Sequence, residues 1–113
     1  MTSPITTHVL DTARGCPAAG VRITLERETA GQWAHVGEGT TDVDGRLRTL
    51  MPPGSLLAAT YRLTFETGNY FRSHSVEAFW ETIVVSFVVR DPKGHFHVPL
   101  LVSPYSYSTY RGS

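Results

Sequence analysis

Hydrophobic and polar residues alternate along this chain in short runs, and Gly, Pro and Asp separate the runs. That pattern predicts an all-β protein, an antiparallel β-sandwich with one short helix, rather than a helical bundle or a βαβ sheet. Thr6 to Leu10 reads as a first strand, followed by a loop from Asp11 to Gly20 whose Asp, Gly and Cys-Pro positions break regular structure. From Val21 to Arg27 the alternation is clean: Val21, Ile23 and Leu25 fall on one face, and Arg22, Thr24 and Glu26 on the other. Gln32 to Thr40 is a strand that weakens or bulges near Gly37 and Gly39. Asp44-Gly45 then turns the chain into a short strand over Leu47 to Leu50, which Met51-Pro52-Pro53-Gly54 ends. A further strand over Thr60 to Glu66 aligns Tyr61, Leu63 and Phe65, and Asn69 to Ser75 is the one helix expected. Thr82 to Val89 is the most apolar stretch and has the length of a single central strand. Asp91-Pro92-Lys93-Gly94 turns the chain again, and strands over His95 to Val102 and Tyr105 to Tyr110 flank Ser103-Pro104. Neither a repeat nor a low-complexity segment interrupts the series.

At 113 residues the chain is expected to form a single domain over residues 1–113. Two Trp, five Tyr and five Phe supply enough large apolar surface for a core, though a domain of this size gains from oligomerisation. Ten basic and ten acidic residues cancel, and Lys93 is the one lysine. Without a clustered positive excess, a nucleic-acid or anionic-membrane partner is not expected. Cys16 is alone, so no intrachain disulfide can form and a cytoplasmic location is expected. The N-terminal residues carry no secretory pattern, and no run approaches the roughly 20 apolar residues of a membrane helix.

Candidate chemistry concentrates in a few places. The last residues, Tyr110-Arg111-Gly112-Ser113, follow directly from an aromatic and β-branched run. A strand that pins them would give a chain end fixed geometry, which loose termini lack, so they read as part of a site. His8 lies inside a β-branched strand between Thr7 and Val9, where an apolar residue or Thr is more usual. Arg46 follows a tight Asp-Gly turn that can hold a guanidinium in place. His95 and His97, two apart on a strand, share a face. Neither a Cys pair nor a His-Glu-x-x-His or Asp-rich loop completes a metal set, so neither metal nor cofactor is expected. His35 and His74 sit in polar surroundings near turns and read as solvent-exposed. No Gly-x-Ser-x-Gly, phosphate loop or dinucleotide fingerprint is present.

Taken together, these segments resemble the transthyretin-related family and, within it, the enzymatic branch of 5-hydroxyisourate hydrolases. The likeness rests on Ile5-Thr6-Thr7-His8-Val9-Leu10-Asp11 followed by Gly15, Pro17 and Ala18, and on Thr41-Asp42-Val43-Asp44-Gly45-Arg46. It continues through His95-Phe96-His97-Val98-Pro99-Leu100-Leu101 and through Ser103 to Ser113. The carrier branch, which binds thyroid hormone, keeps the Ser-Pro-Tyr-Ser-Tyr-Ser-Thr stretch but lacks the His and Arg of the site and the Tyr-Arg-Gly-Ser end. This chain has them all. Phe96 stands where the family often has Tyr, and Trp80-Glu81-Thr82 replaces a commoner segment after Phe79.

The resemblance implies a transthyretin-like (prealbumin-like) sandwich and a homotetramer built as a dimer of dimers. It also implies a small-molecule substrate, a flat oxygen-rich purine derivative whose lactam ring is opened by water. His8, Arg46, His97 and Ser113 are the implied catalytic residues, with Tyr110, Arg111 and Gly112 binding substrate beside His8 and Arg46. Either His8 or His97 would act as general base, since an imidazole titrating near pH 6.5 suits proton transfer at neutral pH. The other would protonate the leaving nitrogen or orient water. Arg46 would bind substrate carbonyls and stabilise the oxyanion, because a guanidinium stays charged and donates two parallel hydrogen bonds. Tyr110 and Ser113 would shape the floor, with a carboxylate at Ser113 ordering Arg or His. A serine nucleophile is not expected. A carrier without catalysis is the alternative.

Overall fold

The structure, a computed structural model, describes residues 3–113. Its elements in chain order are β1 (Ile5–Asp11), β2 (Cys16–Pro17), β3 (Arg22–Thr29), β4 (Gln32–Thr40), β5 (Arg46–Leu47), β6 (Ala59–Phe65), α1 (Thr67–Ser73), β7 (Ile83–Val89), β8 (Phe96–Val102) and β9 (Tyr107–Thr109). They form two sheets. One runs β2-β1-β8-β9 with β5 also paired to β1, and the other runs β4-β3-β6-β7. Between them lie the alternating apolar positions: Ile5 and Val9 of β1, Ile23 and Leu25 of β3, Tyr61, Leu63 and Phe65 of β6, and Leu100 of β8 are all fully buried. Each such side chain contributes about 1.5–3 kcal/mol relative to exposure.

The all-β sandwich with a single short helix is as expected, and it carries one exception to antiparallel pairing. β1 and β8 run parallel, in register from Ile5 opposite Phe96 to Asp11 opposite Val102. Such a pair needs a long crossover, and here nearly the whole intervening chain supplies it. The bulge expected in the fourth strand falls at Val36, where Leu25 opposes Gly37 and Glu26 opposes His35.

Other differences have local causes. The loop expected from Asp11 to Gly20 contains β2, a two-residue strand that folds back on Leu10 and Asp11. The strand expected over Leu47 to Leu50 is only Arg46–Leu47. The helix begins two residues earlier than expected, because the Gly68 amide donates to the Glu81 carbonyl at 2.9 Å and draws Thr67 and Gly68 into the first turn. Ser75, at φ 59°, ends that run. The apolar run Ile83–Val89 is an edge strand, paired among the described residues only with β6. Its apolar outer positions Val84 and Val88 are half exposed, so the signal that suggested a central strand records an uncovered surface instead. No helix among the described residues is long and apolar enough to cross a membrane.

Candidate active site

In β1 the alternation sends Ile5 and Val9 into the core and leaves Thr6 and His8 on the opposite face of the five-stranded sheet. β8 lies alongside with His97 in register with Thr6, and β5 lies on the other side with Arg46 opposite His8. Side chains at paired positions share a face. Thr6, His8, Arg46 and His97 therefore stand together on the outer face of one sheet, contributed by three strands distant in sequence.

The Asp42–Arg46 turn fixes the root of Arg46. Gly45 donates its amide to the Asp42 carbonyl at 2.9 Å, and Asp42 returns its own amide to the Arg46 carbonyl at 2.9 Å. The Asp42 carboxylate accepts the amides of Asp44 at 2.9 Å and Arg46 at 3.0 Å. These bonds, the one from Arg46 foremost, hold its carboxyl below the usual range. The turn is docked on β1, where the Val9 amide donates to the Gly45 carbonyl at 2.7 Å. Gly45 is required there: its φ is +75°, and a Cβ would come within 2.4 Å of the Val9 carbonyl oxygen.

The same turn holds His8, whose Nε2 lies 2.9 Å from the Asp44 carbonyl oxygen. A carbonyl only accepts, so Nε2 carries the proton, and in the neutral ring Nδ1 keeps the lone pair. His97 is half-buried, and its Nδ1 lies 2.9 Å from the Thr6 hydroxyl. Burial, then the positive charge of Arg46, then His8, His95 and Arg48, push its pKa below the ordinary histidine value of 6.5. On the backbone side, the Gly112 amide donates to the His97 carbonyl at 2.8 Å and closes an isolated antiparallel bridge.

These groups surround a cavity of about 210 Å³ lined by Thr6, Thr7, Arg46, Arg48, His95, His97 and Ser113. Of the residues expected from the sequence, Arg46, His97 and Ser113 line it, His8 stands on the same face beside Arg46, and Gly112 is joined to it through the bridge to His97. Tyr110 and Arg111 are placed elsewhere. They line a neighbouring cavity of about 240 Å³ with Val85, Phe87, Phe96 and Val98, and the Arg111 guanidinium sits 4.5 Å over the Phe96 ring.

Thr6, Thr7 and Arg48 line the cavity although the sequence reading did not select them, and His95, singled out there only for the face it shares with His97, lines it as well. The spacing could have found Arg48, because positions 46 and 48 share a face just as 95 and 97 do. His35 pairs with Glu38 at 3.0 Å and His74 packs 4.6 Å from the Tyr70 ring, both away from the site. Among the described residues no three His, Cys, Asp or Glu gather to hold a metal ion.

The fold and the site define a two-sheet β-sandwich that carries imidazole and guanidinium groups on an open sheet face, a set suited to a small oxygen-rich ligand and to proton transfer. The chain belongs to the HIUase/Transthyretin family, whose model matches residues 5–112. A 5-hydroxyisourate hydrolase of Deinococcus radiodurans is 50% identical over 113 residues, covering 96% of this chain and 95% of the relative. Among solved structures, an (S)-allantoin synthase is 44% identical with a TM-score of 0.87; 96% of this chain aligns and spans 43% of that one. Sea bream transthyretin in complex with thyroxine is 32% identical with a TM-score of 0.91, over 97% of this chain and 95% of its own. Backbone likeness is thus greatest where identity is lowest, so the backbone does not separate enzyme from carrier.

Proposed function

We infer that this chain hydrolyses 5-hydroxyisourate to 2-oxo-4-hydroxy-4-carboxy-5-ureidoimidazoline, a ring opening in urate and purine breakdown. The protein is a hydrolase that acts on a cyclic amide. The observation that carries this reading is the convergence of Arg46, His97 and Ser113 on one small cavity with His8 beside it, in a chain half identical to a hydrolase of that substrate.

In the reaction water adds to the lactam carbonyl carbon, the ring carbon–nitrogen bond breaks, the nitrogen takes a proton and the new acid ionises. His97, kept neutral by its surroundings, takes the proton from water. Arg46 donates to the carbonyl oxygen as charge develops on it. His8, whose Nδ1 keeps its lone pair, orients the water, the leaving nitrogen takes its proton through His97, and Ser113 with Gly112 positions the ring. Tyr110 and Arg111 contribute through the backbone they share with these two residues. The chemistry is within reach of imidazole, guanidinium and water, without a cofactor. A carrier role is less well supported, since the cavity is polar and cationic where an aromatic hormone needs apolar walls.

The active form in this reading is a cytoplasmic homotetramer, a dimer of dimers. The edge strands β7 and β9 support it, because the exposed side chains Val84, Val88 and Tyr107 on them would be covered by pairing between copies. The site face is open on one chain, and a second dimer laid against it would leave a channel between the dimers that holds the sites.

The test follows freshly generated 5-hydroxyisourate by ultraviolet absorbance with wild-type protein, with Arg46→Ala and with buffer. Faster loss with wild type alone is expected. Equal rates in all three would overturn the reading and return the cavity to a carrier role.

A further inference from the structure

His97 faces a chemical difficulty if it is to take a proton at neutral pH. His8 on β1, Arg46 on β5, Arg48 beyond it and His95 on the approach to β8 all disfavour an imidazolium there, and burial adds to them. A base in such a place works best when it releases one proton as it gains another. The Thr6 hydroxyl offers that outlet. Its Oγ1 lies 2.9 Å from His97 Nδ1 and 3.4 Å from His95 Nε2, so one hydroxyl bridges two imidazoles. Thr6 is buried, whereas His95 is exposed and reaches solvent. Because a hydroxyl has a single proton, it donates to one ring and accepts from the other. Since it meets Nδ1 of one ring and Nε2 of the other, the two histidines must hold the same tautomer, both Nδ1–H or both Nε2–H.

We propose that Thr6 and His95 are positioning residues that form, with His97, a proton relay from the cavity to solvent. This extends the hydrolase reading and rests on it. In the reacting step the attacking water gives a proton to His97 Nε2 and its oxygen bonds to the lactam carbon. His97 Nδ1 passes its proton to Thr6 Oγ1, Thr6 passes its own to His95 Nε2, and His95 Nδ1 releases one to solvent. One proton leaves the cavity, and each of the three side chains ends with as many protons as it began with. The ring at 97 never holds a full positive charge beside Arg46. As the carbon–nitrogen bond breaks, the reverse shift resets the hydroxyl and both rings and brings one proton back through His97 Nε2 to the leaving nitrogen.

The experiment compares wild type with Thr6→Val, Thr6→Ser and His95→Gln. For Thr6→Val and His95→Gln in dilute buffer, kcat is expected to fall roughly tenfold or more with little change in KM, as befits a lost proton path. Thr6→Ser keeps the rate, and rising concentrations of imidazole buffer restore His95→Gln by carrying the proton instead. His95 is exposed, so its variant folds even if Thr6→Val does not. Undiminished kcat in His95→Gln, or a loss that imidazole fails to repair, overturns the relay. Nitrogen NMR of the imidazoles gives a reading independent of turnover. Matching tautomers at 95 and 97 that become independent in Thr6→Val support the relay, and opposite tautomers on the two rings of the wild type overturn it. Should the wild type fail to hydrolyse 5-hydroxyisourate at all, the hydrolase reading falls while the NMR result still decides whether Thr6 couples the two rings.

Discussion

The backbone of Gly112 lies against the ring of His97: a Cβ at position 112 would meet His97 Cδ2 at 2.7 Å, and the two residues are joined by the 2.8 Å bond from the Gly112 amide to the His97 carbonyl. The last residues of the chain thus act as a backstop for an imidazole at the cavity. Gly112→Ala is expected to push the ring aside and lower kcat/KM by about tenfold to a hundredfold, since displacement of a reacting group by an ångström costs on that order. Thermal unfolding should hardly change, because the segment contributes little to the core. A variant with normal kcat/KM would show that the ring tolerates the shift.

The pH dependence follows from His97. Its pKa lies below 6.5 in the folded chain, through burial first and Arg46 second. Between that lowered value and 6.5 the unfolded chain holds a proton that the folded chain does not. The contribution of this group to stability is therefore complete above 6.5 and is lost as pH falls through the window. The acid limb of kcat/KM is expected to have its midpoint below 6.5. Arg46→Met should lower the rate by about a hundredfold or more and move the limb upward, short of 6.5 because burial remains. A limb that stays put on removal of Arg46 would separate the two residues electrostatically.

Away from the site, Tyr70 donates its hydroxyl to the buried Asp11 carboxylate at 2.8 Å, while the other carboxylate oxygen accepts the amides of Ala13 and Arg14. Burial, then Asp11, push the Tyr70 phenol up to about 12, so it remains a donor at working pH. Tyr70→Phe leaves Asp11 short of a partner and is expected to cost about 1–3 kcal/mol in urea or thermal unfolding. Turnover per folded molecule should stay near wild type, which distinguishes this clasp from the site.

The half-exposed Val84 and Val88 of β7 test the assembly. Sedimentation of Val84→Lys/Val88→Lys is expected to show a species smaller than the wild type, with activity lost alongside, because lysines on an edge strand oppose pairing between copies. If wild type and variant sediment alike as tetramers, β7 does not join the copies.

Much of this was legible in the sequence because one-sided strands write their burial as alternation. Val21, Ile23 and Leu25 fall into the core as the pattern demands, and so do Tyr61, Leu63 and Phe65. His8, Arg46 and His97 were found through family motifs, and their shared face follows from strand register. Thr6 and Arg48 were hidden for different reasons. A threonine in a β-branched strand looks like any other, and Arg48 had no turn beside it to mark it. The side chains of Tyr110 and Arg111 turn toward Phe96 rather than the cavity, and that depends on where the chain crosses His97. The place of β7 at an edge was illegible because strand order is set by which strands pair, and an apolar run reads alike in a sheet centre and at an interface.

The parallel pairing of β1 with β8 has a consequence for how this molecule comes into being. The four-stranded sheet is assembled largely from near neighbours, β3 with β4 and β6 with β7, whereas Thr6 and His97 meet across 91 positions of sequence. Contacts of such long range are closed late and slowly, since the loop entropy must be lost before they are rewarded. Newly made chains would therefore acquire a hydrophobic centre well before they acquire a working cavity. Recovery of catalysis during refolding becomes a clock for the final closure of the chain upon its own beginning, and a ribosome still holding the last strands would carry a chain with its four-stranded sheet formed and its chemistry silent.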